Sequence, residues 1–321
     1  MSTDTIVLER SGITPFLHRY EAPARVGLKV NAYRGYEVEG LARALAAPDL
    51  ADCPLECVMV GDSYFMTHLG RSSTVLSGPE EREWAMSTLV ALVAEVREAL
   101  DAFFPAHRRP FLLADLPDGA TGEVPLALAA GERFRAAGAD AVKLELAGDR
   151  DLDCLQALAV SGCTALGHLG YTPQSGALSR HGDTLDGARQ MFAQARRVRD
   201  AGAAGLIVEM VSEPVNQALS LPTADGIPLY SVFSGRAEFG GQSLNIWDAV
   251  VRPARGSRFF PPTAVIDAAE VPVAYTPDLI ADRMGELIRL TLDGRFPLSP
   301  RTALTPEEIE QISTMSPWSA R

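Results

Sequence analysis

Short apolar runs that each end abruptly in a charged or polar residue recur along this chain, and no other feature limits its folding choices so tightly. Cys57-Val-Met-Val-Gly-Asp-Ser63 breaks at a glycine into an acid and a hydroxyl. Phe111-Leu-Leu-Ala-Asp115, Ala141-Val-Lys143-Leu-Glu145, Ala165-Leu-Gly-His168 and Gly205-Leu-Ile-Val-Glu209 repeat the plan. Each run is too short for a buried helix and reads as a strand covered on both faces. With helical segments between them, such strands predict an α/β fold, a (β/α)8 TIM barrel whose reactive groups collect at the C-terminal strand ends.

The remaining chain fits that frame. Residues 1–26 read as an arm with a short helical piece over the barrel base. Leu28-Lys-Val-Asn-Ala-Tyr33 is the expected first strand, followed by a helix over 37–46 with Val38, Leu41, Ala42 and Leu45 at helical spacing. A long hydroxyl-rich loop, 64–77, follows the second strand, and Ser77 is the expected cap of a helix reaching Phe103. Further helices are expected over 124–137, 152–160 and 185–201. Strand seven is placed at 228–233, strand eight in the region 245–251, and tail helices at 277–293 and 306–314. In barrels such tail helices often pack on a neighbouring subunit.

At 321 residues with 47% hydrophobic content the chain can bury a sizeable core, and a single domain, 1–321, is expected with the arm and a helical tail from about 275. A net charge of −12 opposes binding to nucleic acid or an anionic membrane surface, both of which need a positive field. A small metabolite fits better. No basic leader and no apolar run of about eighteen residues is present, so a soluble, cytoplasmic protein is expected. Cys53, Cys57, Cys154 and Cys163 form no Cys-x-x-Cys pair and read as small apolar thiols.

Asp62, Asp115 and Glu145 are hard oxygen donors on three successive strands, with Ser63 beside the first. Without an accompanying histidine and cysteine set they suit Mg²⁺ better than zinc. Such an ion leaves positions that a 2-oxo acid can fill, polarising its ketone. Glu209 is the expected base for the proton beside that ketone, its pKa raised by burial. Strand alternation puts Lys143 on the same face as Glu145, where it offsets the charge of the substrate carboxylate or enolate. His168 ends its strand at the same rim and suits either substrate binding or a structural hydrogen bond. His68, His107 and His181 fall in loops or helix ends and read as surface groups. Taken singly, an acid at a strand end can simply cap the next helix; four acids with an inward lysine make that explanation much poorer.

Val60-Gly-Asp-Ser63, Ala114-Asp-Leu-Pro117, Ala141-Val-Lys-Leu-Glu145, Gly167-His-Leu-Gly170 and Thr172-Pro-Gln-Ser175 resemble, in order and approximate spacing, the ketopantoate hydroxymethyltransferase family over residues 27–220. The resemblance implies a barrel of the phosphoenolpyruvate/pyruvate superfamily. It also implies a magnesium-dependent transfer of a one-carbon unit from 5,10-methylenetetrahydrofolate to 3-methyl-2-oxobutanoate, and a homodecamer. By position, Asp62, Asp115 and Glu145 match the family's metal-site acids. Asp62, Ser63, Asp115 and Lys143 match its oxo-acid contacts, and Glu209 its proton acceptor.

The departures concern the pocket walls. Arg34 stands where the family usually has aspartate, Arg71-Ser-Ser-Thr74 lacks the usual acid before Ser-Thr, and Asp118-Gly119 replaces bulkier residues. Leu178-Ser-Arg-His-Gly-Asp183 replaces Gly-Tyr-Lys-Val-Gln-Gly, and Ser231-Val-Phe-Ser-Gly235 replaces Gly-Ile-Gly-Ala-Gly. Phe233 and Arg236 in place of small residues imply a divergent member with a different 2-oxo acid or donor. Two other readings stand beside it: a folate-independent carbon-carbon lyase or aldolase of the same superfamily, whose Lys-Lys-Cys-Gly-His string is absent, and a non-catalytic metabolite-binding barrel, which would need no Glu209.

Overall fold

The computed structural model describes residues 13–19, 26–175, 179–247, 276–297 and 302–319. Eight parallel strands close into one barrel in sequence order. They are β1 (Gly27–Asn31), β2 (Leu55–Val60), β3 (Phe111–Asp115), β4 (Ala141–Glu145), β5 (Ala165–Gly170), β6 (Gly205–Glu209), β7 (Leu229–Val232) and β8 (Gly241–Asn245). A short helix, α1 (Thr14–Leu17), precedes β1. The helices that follow are α2 (Gly35–Ala44), α3 (Tyr64–Thr67), α4 (Pro79–Phe103), α5 (Val124–Ala136), α6 (Asp149–Val160), α7 (Leu185–Asp200), α8 (Glu213–Ser220), α9 (Pro277–Leu292) and α10 (Pro306–Thr314).

Period-two alternation divides each strand between two cores. Val30, Val58, Leu112, Val142 and Val208 face outward into the layer shared with the helices, where Leu41, Leu89, Phe134, Leu155 and Leu287 are buried. Cys57, Met59, Phe111, Leu113, Ala141, Leu166, Ile207 and Tyr230 point inward and fill the barrel. Each fully buried aliphatic side chain contributes about 1.5–3 kcal/mol. Phe16 of α1 closes the base, stacked on Tyr230 at 5.1 Å and tilted against Phe111 at 5.4 Å. Beside it, Tyr230 donates to Glu56 at 2.8 Å, and Arg19 pairs with the same carboxylate. Aromatic rings and one internally paired Arg19–Glu56 contact thus seal the base.

Several boundaries differ from the sequence expectations. Strand eight begins at Gly241, before the expected 245–251, of which 248–251 lie outside the described residues. Its Gln-Ser-Leu-Asn sequence lacks an apolar signal. A Cβ on Gly241 would meet the Tyr230 ring at 2.4 Å, so a glycine that reads as a turn serves here for close strand packing. Helix α4 is capped by Gly78 with Pro79 at its first position, not by Ser77, whose backbone N–H instead donates to Glu81. Helix α6 starts at Asp149, earlier than 152, because Asp151 accepts from the N–H groups of Ala147 and Gly148 at 3.0 Å each. The short helix α3 lies in the segment read as a loop, and α8 lies between strands six and seven, where no element is assigned from the sequence.

The tail packs on its own barrel. Ile280, Met284, Leu287 and Ile288 of α9 are buried, and Ile280 sits against Gly40 of α2. Trp318, beyond α10, donates to Leu219 O of α8 at 3.2 Å. Of the cysteines, Cys57 and Cys154 are buried, while Cys53 and Cys163 are partly exposed and likewise unpaired.

Candidate active site at the C-terminal mouth

The strand ends bring the sequence-identified residues to one mouth. Asp62 and Ser63 stand just past β2, Asp115 ends β3, Lys143 and Glu145 lie on the inner face of β4, His168 lies on β5 and Glu209 ends β6. Asp62, Asp115, Lys143, Glu145 and His168 are all buried, and the Glu209 side chain is 16% exposed. A charged cluster this deep persists only if its members neutralise one another or something that binds there.

Lys143 is the hub. Its Nζ donates to Asp115 Oδ2 at 2.9 Å and stands 3.7 Å from Glu145 Oε1. Burial works against this ammonium, but the Asp115 and Glu145 carboxylates outweigh it and its pKa ends above the usual lysine value. Glu145 Oε2 accepts the backbone N–H of Gln174 at 2.9 Å, while Gln174 Nε2 donates to Asp62 Oδ2 at 2.8 Å and to Leu116 O at 3.0 Å. One glutamine thus ties the β5 loop to acids from two strands. Its motif, Thr172-Pro-Gln-Ser175, is conspicuous in the sequence, but nothing there shows which of its members reaches inward.

Asp62, Glu145 and Glu209 hold their protons strongly. Burial, reinforced by Asp115, raises Asp62 well above the ordinary carboxylate range. Burial raises Glu145 to about 8 despite Lys143. Glu209 is also raised to about 8 by burial, with Lys143 and Lys29 pulling the other way. His168 is pushed far down by burial and by the two lysines, so its ring is neutral. Its Nε2 lies 3.4 Å from Glu209 Oε2 and its Nδ1 3.8 Å from Glu145 Oε1. Asp115 Oδ1, Glu145 Oε1 and both His168 ring nitrogens are buried without a hydrogen-bond partner. Four such atoms at one mouth are too many for a finished protein interior.

At the β1 and β8 side of the same mouth, Tyr33 OH lies 2.9 Å from Ser63 Oγ and accepts from Asn245 Nδ2 at 2.9 Å. Burial raises this phenol to about 12. Tyr33 and Asn245 are inward residues that the sequence reading missed. The alternation in Leu28-Lys29-Val30-Asn31-Ala32-Tyr33, apolar outward and polar inward, carried the signal for the first three polar positions.

Backbone geometry holds Glu209. The N–H of Tyr171 donates to Glu209 O at 2.8 Å, and a Cβ on Gly170 would meet that carbonyl at 2.2 Å. Only glycine fits there, at φ +92°. Met210 and Phe233 also have positive φ, 53° and 48°, so strained backbone lies at the ends of β6 and β7. Phe233 falls where the Gly-Ile-Gly-Ala-Gly pattern has its second glycine.

Other expected wall residues turn elsewhere. Arg34 Nε pairs with both oxygens of Glu95 on α4 at 3.0 Å, and Arg236 donates to Gly294 O at 3.0 Å. Arg34 therefore braces an outer helix and Arg236 the tail. His68 is not a surface group: its side chain is 13% exposed, its Nε2 stands 3.0 Å from Glu37 Oε1 and its ring stacks on Tyr64 at 5.0 Å.

Among the described residues, no three His, Cys, Asp or Glu side chains form a ready cage for an ion. No helix among them is long and apolar enough to cross a membrane.

A family model described as ketopantoate hydroxymethyltransferase matches residues 43–261. The 3-methyl-2-oxobutanoate hydroxymethyltransferase of Aeropyrum pernix is 30% identical over 305 residues, covering 89% of this chain and 99% of that protein. The enzyme of the same description from Desulfotalea psychrophila is 33% identical over 180 residues, covering 53% of this chain and 59% of its own length. Among solved structures, oxaloacetate acetylhydrolase in complex with 3,3-difluorooxalacetate aligns with a TM-score of 0.50 at 14% identity, over 94% of this chain and 93% of that one, a likeness of fold.

Proposed function

The chain belongs to the ketopantoate hydroxymethyltransferase family, and from that membership we propose that it adds a hydroxymethyl group to the carbon beside the ketone of a 2-oxo acid. The donor in this reading is 5,10-methylenetetrahydrofolate, and the acceptor is 3-methyl-2-oxobutanoate or a related oxo acid. The observation that carries it is Glu209 poised beside His168 within electrostatic reach of Asp62 and Asp115, at a mouth that holds four unpartnered polar atoms.

Mg²⁺ fits these residues. Asp115 Oδ1 is a buried acceptor with no partner, and Asp62 is an acid whose ionised form burial disfavours, so a cation there would satisfy both. Magnesium is held by one or two carboxylates plus water and substrate, so the lack of a closed three-ligand cage is no obstacle. Asp62 and Asp115 would hold it, with Glu145 behind them on Lys143 and Gln174. When bound, the ion polarises the ketone and stabilises negative charge on its oxygen.

Glu209 in its ionised form removes the proton beside the ketone and holds it on a carboxyl oxygen, next to the neutral His168 ring. The one-carbon unit would leave the folate as formaldehyde, both of its C–N bonds breaking as water supplies the oxygen and its two protons go to the two nitrogens. The enolate carbon then bonds the formaldehyde carbon, whose oxygen takes the proton from Glu209 and becomes the hydroxyl. Ser63, oriented by Tyr33, and Lys143 would contact the oxo acid. We further propose that the chain is one domain, acts in the cytoplasm and assembles as a homo-oligomer, a decamer by family likeness.

The test is to incubate the purified protein with Mg²⁺, 5,10-methylenetetrahydrofolate and a panel of 2-oxo acids, 3-methyl-2-oxobutanoate included. Formation of tetrahydrofolate with a hydroxymethylated oxo acid is expected from at least one. Failure with the whole panel contradicts the reading.

A further inference from the structure

A lysine near the acids has no place in the roles assigned so far. Lys29, on the inner face of β1, is 1% exposed, and its Nζ donates to Asn31 Oδ1 and to Met59 Sδ at 3.6 Å. Its Cα is in register with Cys57, whereas Asn31 is in register with Met59. The side chain therefore leans one layer toward the mouth, to the level just beneath Gly61 and Asp62.

The two inward lysines differ in what they hold. Lys143 is occupied by Asp115 at 2.9 Å and Glu145 at 3.7 Å. Among the described residues, no carboxylate lies within 4.0 Å of Lys29. Asp115 and Glu209 act on it only at longer range, and burial lowers its pKa to about 8. A buried ammonium held by an amide oxygen and a thioether is costly. If the position only needed filling, a methionine of similar length would do so at less cost.

We propose that Lys29 is an anion-binding residue of the mouth, whose ammonium takes a carboxylate or enolate oxygen of the bound oxo acid from the β1 side. This deepens the oxo-acid reading and rests on it. A bound anion gives Lys29 the counter-charge that the fold withholds, and it places the substrate between β1 and the acids of β2 and β3. Asn31 fixes the direction of the ammonium.

The experiment is calorimetric titration of the Mg²⁺-loaded protein with oxalate, a planar dianion resembling the enolate of a 2-oxo acid and lacking any side chain. Lys29→Met should weaken oxalate binding at least ~10-fold, about 1.4 kcal/mol, with Lys29→Arg keeping part of it. Mg²⁺ affinity measured without oxalate should stay within about threefold, because Lys29 touches no metal-site acid. Circular dichroism checks folding, and Lys29→Gln replaces Lys29→Met should the latter not fold. Oxalate binding to the folded variants equal to that of the unaltered protein overturns the inference, even if folate-dependent transfer is intact. Lys29-dependent oxalate binding without any transfer supports it while the one-carbon reading falls. No oxalate binding by the unaltered protein overturns the inference, while the one-carbon reading is decided separately by the 2-oxo acid panel.

Discussion

The Nζ of Lys143 lies 2.9 Å from Oδ2 of Asp115, and this contact joins the ends of β3 and β4 beneath Asp62 and Glu145. One buried ammonium thus holds two carboxylates together while leaving Asp115 Oδ1 unpartnered. Such an arrangement suits a mouth that must accept a cation without collapsing before it arrives.

Replacing Lys143 with methionine should therefore destabilise the protein by about 3 kcal/mol in chelator, the scale for breaking a buried ion pair. Mg²⁺ should restore more of that loss in the variant than it adds to the unaltered protein. Urea unfolding with and without Mg²⁺ measures both. Equal Mg²⁺ stabilisation in the two proteins would separate Lys143 from the metal site.

Protonation offers a second check. Glu209 keeps its proton to about 8, mainly through burial, whereas a glutamate in the unfolded chain releases it near ~4.3. Between those values the native state binds more protons than the unfolded one. Stability from this group is thus full below ~4.3 and is lost as pH rises toward about 8. In chelator the thermal midpoint should fall across that window, and Glu209→Gln should flatten the fall. A variant with the unaltered slope removes Glu209 as its source.

Gly170 admits no side chain. Its φ of +92° and the 2.2 Å approach of a Cβ to Glu209 O mean that Gly170→Ala must move either β5 or the base. A loss of at least ~2 kcal/mol is expected from the clash and strain together. In whatever fraction folds, turnover should fall more than oxo-acid affinity, measured by kinetics alongside calorimetry.

The sequence disclosed the barrel wherever a short, mainly apolar run ended abruptly in a charged or polar group. The runs ending at Asp62, Asp115, Glu145, His168 and Glu209 met those conditions, and their final residues share the mouth. Strand eight escaped because Gln242, Ser243 and Asn245 carry polar groups and Gly241 resembles a turn. Lys29, Asn31 and Tyr33 escaped for a different reason. The alternation that placed Lys143 inward was equally present in β1, but no acid in that strand drew notice to it. Gln174 sits in a legible motif, yet its reach to Asp62 depends on the path of the loop after β5, which local spacing does not encode. Arg34 and Arg236 were read as pocket walls because they replace smaller or acidic residues, whereas long guanidinium side chains find partners at a distance, here Glu95 and the Gly294 carbonyl.

Exchange of the proton beside the ketone tests the central claim without any donor present. In D₂O with Mg²⁺, the protein should replace the C3 hydrogen of 3-methyl-2-oxobutanoate with deuterium, followed by proton NMR. Glu209→Gln should slow this at least ~100-fold, the lower end of general-base contributions, while still binding the oxo acid. Exchange by Glu209→Gln at the unaltered rate, or none by the unaltered protein with any 2-oxo acid of the panel, would contradict an enolate formed by Glu209 at this mouth.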